Sequence, residues 1–378
     1  MKVLVLTPQY LPSWGGIEVL VDSLAEPFRK CSIDTRVVTD DAGRLAEYEI
    51  VNGTPVHRLS FAAAVRSGFP GKPLAVLQQL AGIVESEHPD LLHMHCATGS
   101  SAWYVDRLLR KSTRSLSFIV TQHGVLEPSD RLKVVRDLLR RADALTAVSD
   151  AALQSAAQFS NHDGRQEIIA NGIRPYQQPA SLPGLPGLHR MVCVGRLEHE
   201  KGFDIAIRAL AVARAEGLDA TLTIVGCGED RRKLEALASE LGLAGSVHFR
   251  GACDNEETRR IMAGASVVLV PSRTREGFSL VAAEAALAGV PCVVSRIGGL
   301  PETVADGVTG FVVSPAQPAE FAAAAIRLFR HASLGADLGS RARARAGLKY
   351  NLDTCVEHYQ QLYLSVLARA ARGAGVTS

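Results

Sequence analysis

Two α/β domains facing across a cleft, each a doubly wound parallel sheet, are what the 378-residue sequence predicts, and three features carry that expectation. The chain opens on an apolar run, Lys2–Thr7 (KVLVLT), followed by the loop Pro8–Gly15 and a helical pattern from about Gly16 to Lys30. Strand, glycine loop and helix in that order are the usual start of a doubly wound fold. Short β-rich runs then alternate with helical periodicity, and the whole series occurs twice. Between the two series, Ile173–His189 (IRPYQQPASLPGLPGLH) is rich in proline and glycine and has no periodicity, which marks a linker.

In the first series, strands are expected near Thr35–Thr39, Val56–Leu59, Leu91–His95, Phe118–Thr121, Ala144–Val148 and Glu167–Ala170. Helices fall at Leu74–Ser86, Ser100–Lys111 and Asp130–Arg141. In the second series, strands are expected at Met191–Val194, Thr221–Val225, Val247–Phe249, Val267–Val270, Cys292–Val294 and Phe311–Val313. Helices start there from about Phe203, Asp230, Asn255, Ser279 and Pro318. The domains are therefore 1–172 and 190–352, joined by 173–189. A last helix within 353–378 is expected to pack back toward the N-terminal domain, with its end, ARGAGVTS, frayed.

Hydrophobic residues make up 47% and charged residues 21%, ordinary values for a globular protein. The net charge of +2 argues against nucleic acid as a partner. At 5% aromatic residues, stacking platforms are few. Seven scattered cysteines without a CxxC pair read as reduced thiols. The N-terminus has no secretory leader pattern, and no apolar run approaches a membrane span, so a cytoplasmic location is expected.

Candidate chemistry begins at Pro271–Gly289, PSRTREGFSLVAAEAALAG. Glu276 sits in a loop after the apolar run Val267–Val270, and Ser279 is a candidate N-cap for the helix that follows. Glu284 lies among Ala282, Ala283, Ala285, Ala286 and Leu287. Either it faces solvent, or both carboxylates face a ligand at the strand's carboxyl end, where open parallel sheets bind. The loop Gly195–Asp204 (GRLEHEKGFD) brings Arg196 and Lys201 to the end of another strand. It reads as a diphosphate site or as a solvated charged loop. Gly15-Gly16 at the first helix start could admit a phosphate to backbone amides, or serve packing alone.

Gly226-Cys227-Gly228 resembles part of a dinucleotide fingerprint, but Arg231 stands where a third glycine is expected, which argues against NAD. His93 and His95 alternate onto one strand face, yet no ligand cluster accompanies them, so no metal is expected. His123, in VTQHGV, follows a strand and should point into the cleft. There is no DxD, GxxxxGK[ST] or GxSxG. The basic segment Asp130–Arg141 is either a solvated helix face or a weak peripheral contact with an anionic membrane or acidic acceptor.

In order and spacing these pieces resemble the retaining glycosyltransferases of family four, of GT-B architecture. The marks are Gly15-Gly16, NGI at Asn171–Ile173, VGRLEHEKGFD at Val194–Asp204, VGCGED at Val225–Asp230, VHFRG at Val247–Gly251, VPSRTREGFSLVAAEAALAGVP at Val270–Pro291 and GGLPETVADGVTGFVV at Gly298–Val313. The resemblance implies transfer of a sugar from a UDP-, GDP- or other nucleotide-sugar donor to an acceptor hydroxyl, with no metal and no further cofactor. It implies that Arg196 and Lys201 grip the diphosphate and that Glu284 takes the ribose hydroxyls. Glu276 would meet the donor sugar, held with Gly277 and the amides of Phe278, Ser279 and Leu280. Gly15 and Gly16 would close over the phosphate, His123 would line the sugar site, and backbone near Arg250, Gly251, Ala252 and Cys253 would meet the base. The family often carries glycine where Ser279 stands, so a narrower sugar pocket is expected here. A nucleotide-sugar epimerase and a non-catalytic sugar-binding protein are the rival readings.

Overall fold

The computed structural model describes residues 1–13, 15–40, 45–69, 71–96, 99–111, 116–126, 133–174, 189–274 and 276–373. Most of the expected linker (175–188), the first three residues of the basic segment (130–132) and the expected frayed end (374–378) lie outside the described residues. The chain forms two compact units, Met1–Arg174 with Leu352–Ser378, and Pro175–Asn351.

The first unit is built on eight strands: β1 (Lys2–Thr7), β2 (Asp34–Asp40), β3 (Tyr48–Val51), β4 (Thr54–Leu59), β5 (Leu91–His95), β6 (Ser117–Gln122), β7 (Ala144–Ala147) and β8 (Arg165–Ile168). Their order is β3-β4-β2-β1-β5-β6-β7-β8, parallel except for the β3–β4 hairpin. The side-chain period of two splits β1 and β5 between two cores. Leu4, Leu6, Leu92 and Met94 face one, while Val3, Val5 and Leu91 face the other. The final helix, Leu352–Gly373, closes that second core with Leu352, Cys355, Val356, Tyr359, Leu362 and Tyr363. Burying each such large side chain contributes about 1.5–3 kcal/mol. The helix comes so close that a Cβ at Gly172 would stand 2.8 Å from Cys355 Cβ, which gives the NGI segment a packing reason for its glycine.

The second unit is a six-stranded, wholly parallel sheet, β11-β10-β9-β12-β13-β14. Its strands are β9 (His189–Val194), β10 (Ala220–Val225), β11 (Val247–Gly251), β12 (Val267–Val270), β13 (Cys292–Ser295) and β14 (Gly310–Val313). The buried run Val267–Val270 is typical of a strand covered on both faces. Among the described residues no helix is long and apolar enough to cross a membrane.

Several elements depart from expectation. The edge strand β3 (YEIV) lies outside the expected set; it is only four residues long and half-exposed, although Asn52-Gly53, both at positive φ (49° and 77°), is a hairpin signal. Strand β8 lies at Arg165–Ile168, two residues before the expected Glu167–Ala170, because the fully buried Ile169 follows the edge strand instead of sitting in it. The helix Ala332–Lys349 carries Gly335, Gly339 and Gly347, which mask its helical pattern.

Candidate active site

Each sheet reverses its strand order once, between β1 and β5 and between β9 and β12. At such a reversal the loops leaving neighbouring strands diverge and open a crevice at the carboxyl ends. In the second unit the loop after β9 carries Arg196 and Lys201, and the loop after β12 carries Glu276. The topology therefore brings the predicted cation loop beside the predicted carboxylate loop.

Backbone contacts suture the two loops. Gly202 adopts φ +70°, and a Cβ there would collide with the Pro271 carbonyl oxygen. Arg273 N donates to Glu200 O at 2.8 Å. The Arg273 guanidinium forks onto Asp204, Nη1 to Oδ1 at 2.8 Å and Nη2 to Oδ2 at 2.7 Å, and also donates to His199 O at 2.9 Å. Burial alone would raise the Asp204 pKa, but the Arg273 hydrogen bonds and charge outweigh it and hold the carboxyl below its ordinary value. The Gly226-Cys227-Gly228 turn has a similar packing cause. A Cβ at Gly226 would strike Gly195 O and one at Gly228 would strike Leu197 O, so the glycines let two loops touch.

On this frame Lys201 Nζ lies 2.8 Å from Glu276 Oε2, and Ser272 Oγ donates to the same oxygen at 3.1 Å. Their side chains are 32% and 13% exposed, so the pair is sheltered yet open to a ligand. Arg196 is placed differently: its side chain is 66% exposed and pairs with Glu198 at 2.8 Å. The structure joins Lys201 to Glu276 directly, whereas Arg196 is held on its own loop.

Glu284 does not take the solvent-facing option. Its side chain is 20% exposed and accepts from Arg259 Nη2 at 3.1 Å and Nε at 3.3 Å. Burial raises its pKa, and Arg259 acts in the opposite sense. Ser279 is the N-cap that the sequence leads one to expect. Its hydroxyl is buried and accepts from Ala282 N at 3.2 Å, capping the helix Leu280–Leu287. Gly277 is buried, the amides of Phe278 and Leu280 flank the same helix start, and the Phe278 ring meets Tyr350 edge-on at 5.1 Å. At the end of β11, Arg250 pairs with Glu257 at 2.8 Å. Gly251 takes φ +77° and accepts from Gly226 N at 2.7 Å, with Ala252 exposed beyond it and Cys253 Sγ turned back toward Gly251 O.

The first unit gathers neutral rings at its own reversal. His93 is fully buried, with Nδ1 2.7 Å from Tyr363 OH and Nε2 2.7 Å from Thr121 Oγ1, so it is a satisfied core histidine. His95 Nδ1 lies 2.9 Å from His123 Nε2, and the two rings stack. Burial pushes His93 and His123 down to about 3. Gly15 is the extended N-cap of the helix Gly16–Lys30, and a Cβ on it would run into Glu18 Oε2. Glu18, itself buried, is a charged group that the sequence reading does not single out; its carboxylate lies in the first turn, at the helix's positive end. The signal was present as an acidic residue two places after Gly16 in an apolar helix start.

Comparison with known proteins gives the family. A family model described as glycosyl transferases group 1 matches residues 186–345, and one described as a glycosyl transferase 4-like domain matches residues 15–172. The chain belongs to the family-four glycosyltransferases and is a glycosyltransferase of GT-B fold. Among its relatives is a GDP-mannose-dependent alpha-(1-6)-phosphatidylinositol monomannoside mannosyltransferase of Mycolicibacterium smegmatis, 39% identical over 52% of this chain and 56% of that protein. Sucrose-phosphate synthase from Thermosynechococcus elongatus superposes with a TM-score of 0.80 at 22% identity, over 98% of this chain and 100% of that one. Anabaena HepE in complex with UDP-glucose gives 0.77 at 22% identity, over 97% and 100%. The two structural likenesses speak for the fold.

Proposed function

We propose that this enzyme moves a hexose-type sugar from a nucleoside diphosphate donor to an acceptor hydroxyl, with retention of anomeric configuration and without a metal or other cofactor. The observation that carries the reading is the Lys201–Glu276 pair at the strand-order reversal. Without donor the two charges satisfy each other. A diphosphate offers Lys201 a stronger anionic partner, and sugar hydroxyls donate to the Glu276 carboxylate that Lys201 releases. Arg196 swings from Glu198 to the diphosphate, and Glu284 accepts from the ribose hydroxyls. The amides of Phe278 and Leu280, at a helix start, add positive potential beside the leaving group. In a water-poor site these fixed charges stabilise an oxocarbenium-like sugar beside its departing diphosphate. The acceptor hydroxyl attacks on the face from which the diphosphate leaves, and a departing phosphate oxygen takes its proton. Glu276 positions the sugar and forms no covalent bond to it. His123, neutral through burial, serves as a hydrogen-bonding group for the acceptor reaction in the first unit.

UDP-glucose in HepE and the GDP-mannose dependence of the mycobacterial relative support a nucleotide-hexose donor. The exposed cations Lys133, Arg136, Arg140 and Arg141 on the helix Lys133–Arg141 support an acceptor presented at an anionic surface.

The test incubates the enzyme with UDP-glucose and GDP-mannose, each with and without an acceptor panel, and reads the product anomer by NMR. Acceptor-dependent transfer with retention, unchanged in EDTA, is expected. Inversion, loss of activity in EDTA, or isomerisation of donor alone overturns the reading. Arg196→Ala is expected to lower turnover at least tenfold with melting temperature unchanged.

A further inference from the structure

Arg259 and Arg260 are neighbours on the helix Asn255–Ala263 and do opposite things. Arg260 is 51% exposed and pairs with Glu256 one turn away, an ordinary surface contact. Arg259, only 19% exposed, leaves its own helix and sends two guanidinium nitrogens to one oxygen of Glu284 on the helix Leu280–Leu287. That helix is otherwise alanine and aliphatic, with Ala282, Ala283, Ala285 and Ala286 all buried. Packing has no need of a carboxylate there, and a sheltered ion pair is a weak source of stability because desolvation offsets its attraction. Retaining both charges makes sense if the carboxylate has another task.

We propose that Arg259 is a positioning residue for donor recognition, holding the Glu284 carboxylate in one orientation for the neighbouring hydroxyls of the donor ribose. This rests on the reading of Glu284 as the ribose-binding group. Two donors on Oε1 anchor that oxygen, so the hydroxyls meet an acceptor whose motion is already restricted. The residue itself touches no substrate. Its loss therefore weakens donor binding without slowing the chemical step.

The experiment compares wild type, Arg259→Gln, Arg259→Lys, Glu284→Gln and the Arg259→Gln/Glu284→Gln double variant. It uses whichever of UDP-glucose or GDP-mannose the wild type turns over, with melting temperature as the folding control. Arg259→Gln is expected to raise donor KM about tenfold with kcat within a factor of two, and Arg259→Lys to recover part of that loss. The double variant should be no worse than Glu284→Gln, because the positioning role of Arg259 runs through that carboxylate. If Arg259→Gln fails to fold, Arg259→Lys decides alone: an intermediate KM supports positioning and a wild-type KM rejects it. A raised KM in Glu284→Gln with a wild-type KM in Arg259→Gln overturns the positioning role while leaving the ribose reading intact. A fall in kcat at unchanged KM in Arg259→Gln also overturns it. An unchanged KM in Glu284→Gln overturns the ribose reading, and the positioning role with it.

Discussion

The two sheets put side chains at equivalent places, the strand ends flanking a reversal of order, and then treat charge in opposite ways. In the second unit Lys201 with Glu276 and Arg273 with Asp204 form ion pairs across two loops. In the first, His93, His95 and His123 are crowded together, and burial depresses the pKa of all three. Paired ions at a sheltered but reachable site can exchange a protein partner for a ligand. Desolvated imidazoles offer only neutral hydrogen bonds near neutral pH. The first arrangement suits gripping a diphosphate; the second suits holding an uncharged group still.

The contrast breaks most visibly at Lys201. Lys201→Ala and Glu276→Ala should each cut turnover by about 10²–10³-fold, the scale of losing one electrostatic stabiliser of developing charge. His123→Ala, which removes a neutral hydrogen bond, should cost about tenfold or less. Steady-state rates on folded protein, checked by circular dichroism, decide it. Equal losses from Lys201→Ala and His123→Ala would erase the distinction.

Next in size is the Arg273–Asp204 fork. Arg273→Ala strips Asp204 and His199 O of their partner and loosens the loops after β9 and β12 at once. Removing one side of a sheltered charged hydrogen bond costs about 1–3 kcal/mol. A lower melting temperature and a donor KM raised about tenfold are expected, on the view that the loops need each other to hold Lys201 beside Glu276. A variant that melts earlier but binds donor normally would confine the fork to stability. Because Asp204 has a lowered pKa, the fork's contribution is complete above the ordinary aspartate range and is lost as pH falls through the depressed value.

The sheets and the two loops after β9 and β12 were legible because apolar runs bounded by glycine and proline report their own burial. Lys201 and Glu276 were legible as chemistry, although nothing local said that they would pair across 75 positions. Glu284 was visible as an anomaly among alanines, and its partner was not. Arg259 and Arg260 read alike in sequence, and only the packing of one helix on another turns one inward. Ser279 was legible as a cap because a serine directly before an apolar helical run is a common helix start. His93 could be read as structural, but its partner Tyr363 lies 270 residues on, in a helix that returns to the first unit.

The smallest effect on turnover is expected at His93, and it is the sharpest test of how the first unit handles charge. His93→Gln removes a ring whose nitrogens meet Tyr363 and Thr121, so stability at pH 7.5 should fall by about 1–3 kcal/mol while turnover stays near wild type. The pH dependence carries the argument. In the folded protein burial lowers the His93 pKa to about 3, whereas an unfolded histidine titrates near 6.5. Between those values the unfolded chain binds a proton that the folded chain refuses, so stability rises with pH. It is complete above about pH 6.5 and drains away as pH falls toward 3, with a slope near 1.4 kcal/mol per pH unit for each such group. Removing His93 deletes one share of that slope. Urea unfolding at pH 7.5, 6.0 and 5.0 should therefore show wild type and His93→Gln converging as acid is added. Two parallel curves would mean that His93 takes up its proton as readily in the folded unit as in the unfolded chain, and the neutral half of the comparison would fail.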